Sequence, residues 1–386
     1  MTDRGQKLLS FFKEEAKQDF LALLKQLVEE ETPSDAPESF EKIWAVLTEE
    51  FESLGYSAQY LEGQETAGQL VCKPADFDPE KPQQLIVGHC DTVWPLTTLS
   101  DMPFKHAGNN VSGPGVYDMK AGICMMIFAL RAMQHLGEEP AVQPVFVINS
   151  DEEIGSEESE KVIIKQAKKS ERTFVLEPAL GTEGKIKTER KGIGEFEIAI
   201  KGNPSHAGLA PEEGVSAILG LSHIVQQLFE LNEPSKGISV NVGTIEGGER
   251  ANVIAAQSKA VVDVRVPTEE DGKRIKNVIY NLEPRIEGIK IDVSGGIRRP
   301  PLEKKEANQQ WWQITRNLGR ELGLKLEEGT SGGASDGNIT NQYSPTIDGL
   351  GAVGEGAHAY HEKIFFDETL ERAALFTLLL LHPSEN

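Results

Sequence analysis

Three short apolar runs constrain the fold of this chain more than any other feature of its sequence. They cover residues 85–87, 145–149 and 173–178, and each is rich in amino acids that favour β-strands. Helical patterns separate the runs along the chain. Because short strands that alternate with helices are typical of a sheet covered by helices, we expect an α/β domain.

Imidazole and carboxylate groups lie at the end of each run. They are His89 and Asp91 after the first run, Asp151, Glu152 and Glu153 after the second, and Glu177 near the end of the third. In open α/β sheets, ligands bind beyond the carboxyl ends of the strands. Alternation along an extended chain also places His89 and Asp91 on one side. The run ends therefore predict a common site at one edge of the sheet.

A different pattern occupies the middle of the chain. Residues 187–296 read as strand, helix, two strands, helix and strand, which is the order of a split-βαβ sandwich. The flanking parts have the α/β pattern and begin with helices that we predict over 5–31 and 40–54. We therefore predict a catalytic domain formed by residues 1–186 and 297–386, into which an α+β domain of ferredoxin-like topology is inserted.

Composition narrows the classes of partner. A chain of 386 residues is longer than one hydrophobic core usually serves, which agrees with two domains. Its net charge of -22 repels phosphate backbones and anionic membranes, so we expect neither nucleic-acid nor membrane binding. The three cysteines match no disulfide framework, and neither a signal peptide nor a membrane-spanning run is recognisable. We therefore expect a cytoplasmic protein.

Asp118 adds a carboxylate at a further irregular position. It follows the loop "GPGVY" and precedes a helix predicted to end near Leu136, so on its own it could be a helix cap. Together with the strand ends, it forms a donor set of imidazole and carboxylate groups that suits Zn²⁺, Mn²⁺ or Co²⁺ in a hydrolytic site. The set is too large for one ion. It fits two ions with a shared ligand and leaves one carboxylate as a general base.

The segments that contain these residues resemble the motifs of the M20 metallopeptidases, a family of co-catalytic zinc carboxypeptidases and deacylases. The similar segments are "GHCDTVW", "GPGVYDMKAG", "DEEIGS", "LEP", "GNPSHAG" and "GAHAYHE". They follow one another in the family's order over nearly the whole chain. The resemblance implies an α/β, mixed-sheet zinc-peptidase catalytic domain, with the inserted domain serving as a lid and dimerisation domain.

The resemblance also implies a set of metal ligands. Asp118 would bridge two Zn²⁺ ions per chain, for which Co²⁺ or Mn²⁺ could substitute. His89 and Glu177 would complete the ligands of one ion, and Glu153 and His358 those of the other. A cis peptide bond is implied between Asp118 and the residue that follows it.

Two further roles at the metal site follow from the same resemblance. Glu152 would be the general base. Asp91 would hydrogen-bond the free nitrogen of the histidine that precedes it and fix the orientation of that ring. His361 is the alternative to His358 as the last ligand, and His358 is preferred because its distance from Glu362 matches the family's motif.

The predicted substrate-binding residues lie in or near the inserted domain. His206 would stabilise the oxyanion, often across a dimer interface in this family. Asn252 and Arg299 match substrate-binding positions. Arg265, expected to face inward from a strand, would grip a substrate carboxylate with its two nitrogens. Gly333, in a glycine-rich loop, would bring backbone donors close to the substrate.

The implied function is hydrolysis of an amide bond next to a free carboxylate by a di-zinc enzyme of the glutamate carboxypeptidase type. Its substrates would be small peptides or N-acyl amino acids, and it would form a homodimer through the inserted domain. An N-acyl-amino-acid deacylase of the acetylornithine deacetylase or aminoacylase type is the alternative, since the same site serves both. Loss of Glu152 or His206 would favour an inactive metal-binding dimeric protein, but both residues are present.

Overall fold

The computed structural model describes residues 1–384 of the chain. They form two compact units. The first contains residues 1–188, 304–330 and the described residues from Ser335 onward, and the second contains residues 189–303 and 331–334. In the described residues, no helix combines the length and the apolar character needed to cross a membrane. The cytoplasmic location stays a prediction.

The described residues form strands and helices along most of the chain. The strands are β1 (Tyr56–Leu61), β2 (Gln69–Pro74), β3 (Gln83–His89), β4 (Lys105–Ala107), β5 (Asn110–Ser112), β6 (Gln143–Asn149), β7 (Ser170–Val175), β8 (Ile186–Arg190), β9 (Gly192–Lys201), β10 (Ser239–Gly247), β11 (Gln257–Val266), β12 (Lys290–Arg299), β13 (Glu328–Ser331), β14 (Thr346–Ile347), β15 (Gly354–Glu355) and β16 (Lys363–Phe365). The α-helices are α1 (Asp3–Ser10), α2 (Lys17–Glu29), α3 (Glu41–Ser53), α4 (Ala121–Leu136), α5 (Glu160–Ala167), α6 (Ala217–Phe229), α7 (Glu269–Tyr280), α8 (Glu306–Glu321), α9 (Asp336–Thr340) and α10 (Phe366–Leu380).

A six-stranded mixed sheet lies at the centre of the first unit. Its strand order is β1-β2-β6-β3-β7-β14. β3 pairs in parallel with β6 on one side and with β7 on the other, whereas β2 is antiparallel to both of its neighbours. All residues of β3 are buried, as expected for a parallel strand covered on both faces. The predicted α/β fold with a mixed sheet is confirmed, and the three apolar runs are its central strands.

Two helices of the first unit are buried almost all round. Twelve of the sixteen residues of α4 and twelve of the fifteen residues of α10 are buried. The two helices pack against each other, and α4 begins directly after the turn that contains Asp118. A helix with apolar residues on every side must be enclosed by other elements. The position of Asp118 is therefore fixed by the core of this unit.

The helix predicted over residues 5–31 is interrupted, so that part of the prediction is wrong. A π-helical turn, Phe11–Glu15, separates α1 from α2. Its wider turn changes the phase of the apolar face, and both Phe11 and Phe12 are buried. The second predicted helix, over 40–54, is present as α3.

The second unit is a four-stranded antiparallel sheet with two helices. Its strand order is β10-β11-β9-β12, and the chain order β9-α6-β10-β11-α7-β12 is the predicted split-βαβ arrangement. Phe196, Ile198 and Ile200 alternate along β9 and are buried in one core with Leu221 and Ile224 of α6. This unit therefore has a hydrophobic core of its own.

The second unit extends further than the predicted insert. The sequence predicted bounds of 187 and 296, whereas the main segment of the compact unit covers residues 189–303. The chain stays with this unit after β12 because Leu302 and Arg190 form a β-bridge and the Glu303 carboxylate accepts the backbone N–H of Glu269 at 2.7 Å.

Arg172 holds the C-terminal end of the first unit. Its side chain is buried, and its Nε donates to Gln84 Oε1 at 2.9 Å. Its terminal nitrogens donate to the carbonyl oxygens of His382 at 2.6 Å and Pro383 at 2.9 Å. The guanidinium also lies 4.5 Å from the ring centre of Trp311. One buried cation thus satisfies carbonyl groups that follow α10.

Arg172→Ala should lower the free energy of unfolding by roughly 3 kcal/mol, because three acceptors, among them the buried side chain of Gln84, lose a charged donor. Urea denaturation followed by circular dichroism measures this change. Arg298→Ala is the matched control, since its guanidinium is 63% exposed and pairs with Glu195 on the surface. We expect the control to cost about 0.5 kcal/mol or less. Equal losses in the two variants would contradict this role for Arg172.

Candidate metal centre

His89 ends β3, and its buried ring faces acceptors on both sides. Nδ1 lies 3.0 Å from the main-chain oxygen of Asp91 and 3.3 Å from its Oδ1. Nε2 lies 3.3 Å from Asp118 Oδ1 and 3.3 Å from Glu177 Oε1. The acceptors beside Nδ1 favour a proton on that nitrogen, which leaves the lone pair of Nε2 for a metal ion.

Asp91 is fully buried and joins His89 to the loop after β6. Its Oδ2 accepts the hydroxyl of Ser34 at 2.7 Å and the backbone N–H of Glu153 at 3.1 Å. Its Oδ1 accepts the backbone N–H of Glu152 at 3.3 Å. One carboxylate therefore orients the imidazole and also holds the backbone of both adjacent glutamates.

Asp118 lies between the two histidines of the cluster. Its Oδ1 is 3.3 Å from His89 Nε2, and its Oδ2 is 3.6 Å from His358 Nε2. The peptide bond between Asp118 and Met119 is cis, as the resemblance implies. Lys120 occupies the N-cap position of α4, so the alternative in which Asp118 only caps the helix is wrong. Each oxygen of this carboxylate thus faces a different imidazole.

The adjacent Glu152 and Glu153 contact different partners. Glu153 Oε2 lies 3.1 Å from His358 Nε2. His358, with φ of 59° and a half-exposed side chain, is the late histidine whose ring contacts the carboxylates of Asp118 and Glu153. His361 is exposed as well. Glu152 instead offers an oxygen within 4.8 Å of an oxygen of Glu177. Neighbouring side chains on this loop therefore diverge.

Two sets of possible metal ligands overlap at His89. In each set the donor atoms lie within 4.8 Å of one another, and the sets are His89 with Glu152 and Glu177, and His89 with Asp118 and Glu153. Both contain imidazole and carboxylate donors without thiolate, which suits Zn²⁺ or Mn²⁺ and similar divalent ions. Because only Nε2 of His89 is left for a metal ion, His89 can serve one ion, and the residues present fit a metal centre in which a carboxylate would be the shared ligand.

The carboxylates raise the pKa of both histidines. Burial alone would lower the pKa of His89, but hydrogen bonds to Asp118 and two further carboxylates outweigh it and raise the pKa well above its usual range. The hydrogen bond to Glu153 raises the pKa of His358 to about 9. Burial raises the pKa of Glu153 itself. Protons therefore compete with a metal ion for these donors.

Two residues predicted to bind substrate lie beside each other in the second unit. The backbone N–H of Ala207 donates to the carbonyl of Asn252 at 3.0 Å. The ring of His206 is exposed. Its Nδ1 accepts hydrogen bonds from the backbone N–H groups of Gly208 at 3.1 Å and Leu209 at 3.2 Å. Because Nδ1 is an acceptor, the neutral ring carries its proton on Nε2. His206 therefore presents an N–H donor.

The expectation that Arg265 faces inward is wrong. Val264 and Val266, its neighbours on β11, point into the core of the second unit, so Arg265 lies on the opposite face of the sheet. Its Nε donates to Asp263 Oδ2 at 2.9 Å. A carboxylate of the chain itself is therefore one partner of this arginine, which is 30% exposed.

Arg299 and Gly333 also belong to the second unit. Arg299 ends β12 and is 8% exposed. The carbonyl of Gly333 accepts a hydrogen bond from Arg190 Nη1 at 3.3 Å. A side chain at residue 333 would meet nothing within 4 Å, so the structure itself does not require glycine there for close packing.

Two residues that the sequence analysis did not predict form hydrogen bonds that hold parts of the site in place. Ser34 donates to Asp91, although its segment reads in the sequence only as a break between helices. Asp336 accepts the amide of Asn149 at 2.6 Å and the hydroxyl of Ser156 at 2.5 Å, and so fastens both ends of the loop after β6. A local pattern does not reveal such contacts, because the partners are far apart in the sequence.

Comparisons with known proteins find similarity to peptidases over most of the chain. The family model described as peptidase family M20/M25/M40 matches residues 85–382. Carboxypeptidase G2 from Pseudomonas sp. (strain RS-16) is 27% identical over 351 residues, which cover 87% of this chain and 82% of that protein. Succinyl-diaminopimelate desuccinylase from Acidovorax ebreus is 27% identical over 300 residues, 72% of this chain and 75% of that protein. The crystal structure of aminopeptidase PepT from Bacillus cereus has the same fold, with a TM-score of 0.79 at 21% identity, over 94% of this chain and 98% of that one.

Asp91→Ala should weaken Zn²⁺ binding by roughly 10- to 100-fold, since partners that orient a metal-binding imidazole commonly have this effect. Competition with a chromogenic chelator, starting from metal-free protein, measures the affinity. Asp101→Ala is the matched control, because Asp101 is exposed and lies further along the same segment. Equal affinities in both variants would show that Asp91 does not orient a ligand.

Proposed function

The chain belongs to peptidase family M20/M25/M40, and on that premise we propose that it is a two-metal hydrolase that cleaves an amide bond next to a free carboxylate. It would act as a carboxypeptidase of the glutamate carboxypeptidase type on small peptides or N-acyl amino acids. The observation that carries the proposal is the position of Asp118, whose two oxygens lie 3.3 Å from His89 Nε2 and 3.6 Å from His358 Nε2.

The proposed ligands divide between two positions. Asp118 would bridge them, since its two oxygens face different histidines. His89 and Glu177 would serve one ion, and Glu153 and His358 the other. The donor types favour Zn²⁺, with Co²⁺ or Mn²⁺ as possible substitutes. When bound, such ions would polarise the scissile carbonyl group and make a water molecule more acidic.

Glu152 is proposed as the general base. Its backbone is held by Asp91, and its half-buried carboxylate lies beside the donors of His89 and Glu177. The ligand set just described is complete without it. Glu152 can therefore take a proton from the attacking water and deliver it to the leaving amine.

His206 is proposed to stabilise the negative charge that develops on the carbonyl oxygen. Two backbone N–H groups donate to its Nδ1, which supports a neutral ring whose exposed Nε2–H can donate. A donor held in this way costs little reorganisation when charge develops on the substrate.

Specificity for a free carboxylate is proposed to come from the second unit. Arg265 and Arg299 supply the cationic groups, and Asn252 and the backbone at Gly333 supply polar contacts. The name of the relative carboxypeptidase G2 supports a carboxypeptidase. The desuccinylase among the relatives supports the second candidate, an N-acyl-amino-acid deacylase, because that enzyme's name specifies removal of an acyl group.

A homodimer through the second unit is part of the proposal. β10 is an edge strand of the four-stranded sheet, and Ile245 on it is 59% exposed. On the neighbouring helix α6, Ile218, Leu219 and Phe229 are each about half exposed. An exposed edge strand flanked by apolar side chains can pair with its own copy across a two-fold axis.

The enzyme should release glutamate from N-acyl-glutamates faster than it removes acetyl groups from other amino acids. A panel of acyl-glutamates, dipeptides and acetylated amino acids, assayed for free amine in the presence of Zn²⁺, tests this.

Glu152→Gln should retain bound metal but lose roughly 10²–10⁴-fold of the rate, because it removes the base. Glu157→Gln, an exposed neighbour on the same loop, is the control. Preference for acetylated amino acids would favour the deacylase, and activity within a few-fold of wild type in Glu152→Gln would exclude Glu152 as the base.

If His206 acts in the site of the partner subunit, two inactive variants should complement each other. A hybrid dimer of His206→Ala and Glu152→Gln chains contains one site with both residues intact. An equal mixture that exchanges subunits freely should therefore recover about a quarter of wild-type activity. The unmixed variants are the controls, and mass spectrometry verifies the exchange. Hybrids that form but stay inactive would show that His206 does not act across the dimer.

A further inference from the structure

We propose that Glu362 is a positioning residue that holds the loop of Asp118 against the loop of His358 and thereby sets the second metal position. This inference rests on the proposed metal centre. It assigns Glu362 no contact with the metal ions or the substrate.

Glu362 is fully buried and accepts four hydrogen bonds. Its Oε1 accepts the backbone N–H groups of Tyr117 at 2.9 Å and Asp118 at 3.1 Å. Its Oε2 accepts the backbone N–H of Gly115 at 3.0 Å and the indole N–H of Trp94 at 2.8 Å. Three of these donors belong to the irregular turn that carries Asp118, and the fourth belongs to the segment after β3.

The backbone around Glu362 also fixes the loop of His358. The N–H of Glu362 donates to the carbonyl of Ala359 at 2.8 Å, and the N–H of Ala359 donates to the carbonyl of Gly356 at 2.9 Å. His358 lies inside these two successive turns with φ of 59°. A side chain at Gly356 would come within 3.0 Å of the backbone of Glu362. Glu362 is therefore packed directly against the loop that carries His358.

The bonding pattern requires a carboxylate rather than only a side chain of this size. Each oxygen accepts two N–H groups, and a carboxylate has acceptors at both oxygens and no donor. Glutamine has one acceptor oxygen and one NH₂ group, so it would have to point two hydrogens at two backbone or indole donors. Alanine would leave all four donors without this partner. A buried donor that loses its acceptor costs free energy, and the turn would rearrange.

Displacement of this turn would move Asp118 relative to His358, whose Nε2 is 3.6 Å from Asp118 Oδ2. The position shared by Glu153 and His358 depends on that separation. His89 ends β3 and Glu177 follows β7, so neither residue lies on the two loops that Glu362 holds. Loss of Glu362 should therefore misplace one ligand of the first position, the bridging Asp118, but both Asp118 and His358 at the second position, which should be weakened more.

The test titrates metal-free protein with Zn²⁺ in competition with a chelator. Glu362→Gln should bind the second ion roughly 10- to 100-fold more weakly than wild type, the range typical of partners that orient ligands, and should weaken the first ion by a smaller factor. The kcat should fall at subsaturating Zn²⁺ and recover in part at high Zn²⁺, while KM stays within a few-fold. Glu355→Gln is the matched control, because that carboxylate lies on the same segment and is 42% exposed.

Two successive Zn²⁺ affinities equal to those of wild type in Glu362→Gln would overturn the proposal. If this variant does not fold, the same titration is made with Trp94→Phe, which removes one of the four N–H groups that donate to Glu362. It should weaken the second ion by about five-fold, the value of one hydrogen bond, and an unchanged affinity would overturn the proposal. If wild type binds two ions but does not cleave acyl-glutamates, the substrate assignment fails while the role of Glu362 is still measured. If wild type binds only one ion, the two-metal proposal and this inference fail together.

Discussion

The parallel pairing of β3 with β6 and β7 is the constraint on which the rest of the metal centre depends. Val87 is paired with Val175, so His89 and Glu177 each follow that pair by two residues, and their side chains meet at 3.3 Å. On the other side, His89 is paired with Asn149, the last residue before the loop of the two glutamates. Because side chains alternate along a strand, a slip of one residue would turn His89 to the opposite face.

The meeting of these strand ends concentrates negative charge at a largely buried edge of the sheet. Five carboxylates, from Asp91, Asp118, Glu152, Glu153 and Glu177, lie around two histidines. Burial and mutual repulsion disfavour such a cluster, and donors from the backbone and from histidine nitrogens offset part of the cost. Divalent ions would offset much of the remainder. Metal binding should therefore stabilise the folded first unit, since the ligands converge only in that state.

The sequence predicted the features that local patterns encode. Alternating and helical periodicities predicted the central strands and the split-βαβ unit, and the motifs placed each proposed ligand at a strand end or in a turn. The environment of Arg265 was also open to prediction, because Asp263 precedes it by two residues on the same strand face. The hydrogen-bond partners of Ser34 and Glu362 were not open to prediction, since they lie 57 residues away from Ser34 and 244–268 residues away from Glu362 in the chain. No local pattern records that a buried oxygen accepts a distant N–H.

The proposed metal centre and the residues proposed to contact substrate belong to two different hydrophobic cores. All proposed metal ligands and the proposed base belong to the first unit, whereas His206 and the residues proposed to bind substrate belong to the second. The core of the second unit is built from its own strands and helices. Under the proposed function, substitutions on its surface would change which substrate is held without disturbing the packing around β3, β6 and β7. Such an arrangement explains physically how relatives whose names specify different substrates can share one fold, because function depends on sites carried by a fold and not on the fold alone.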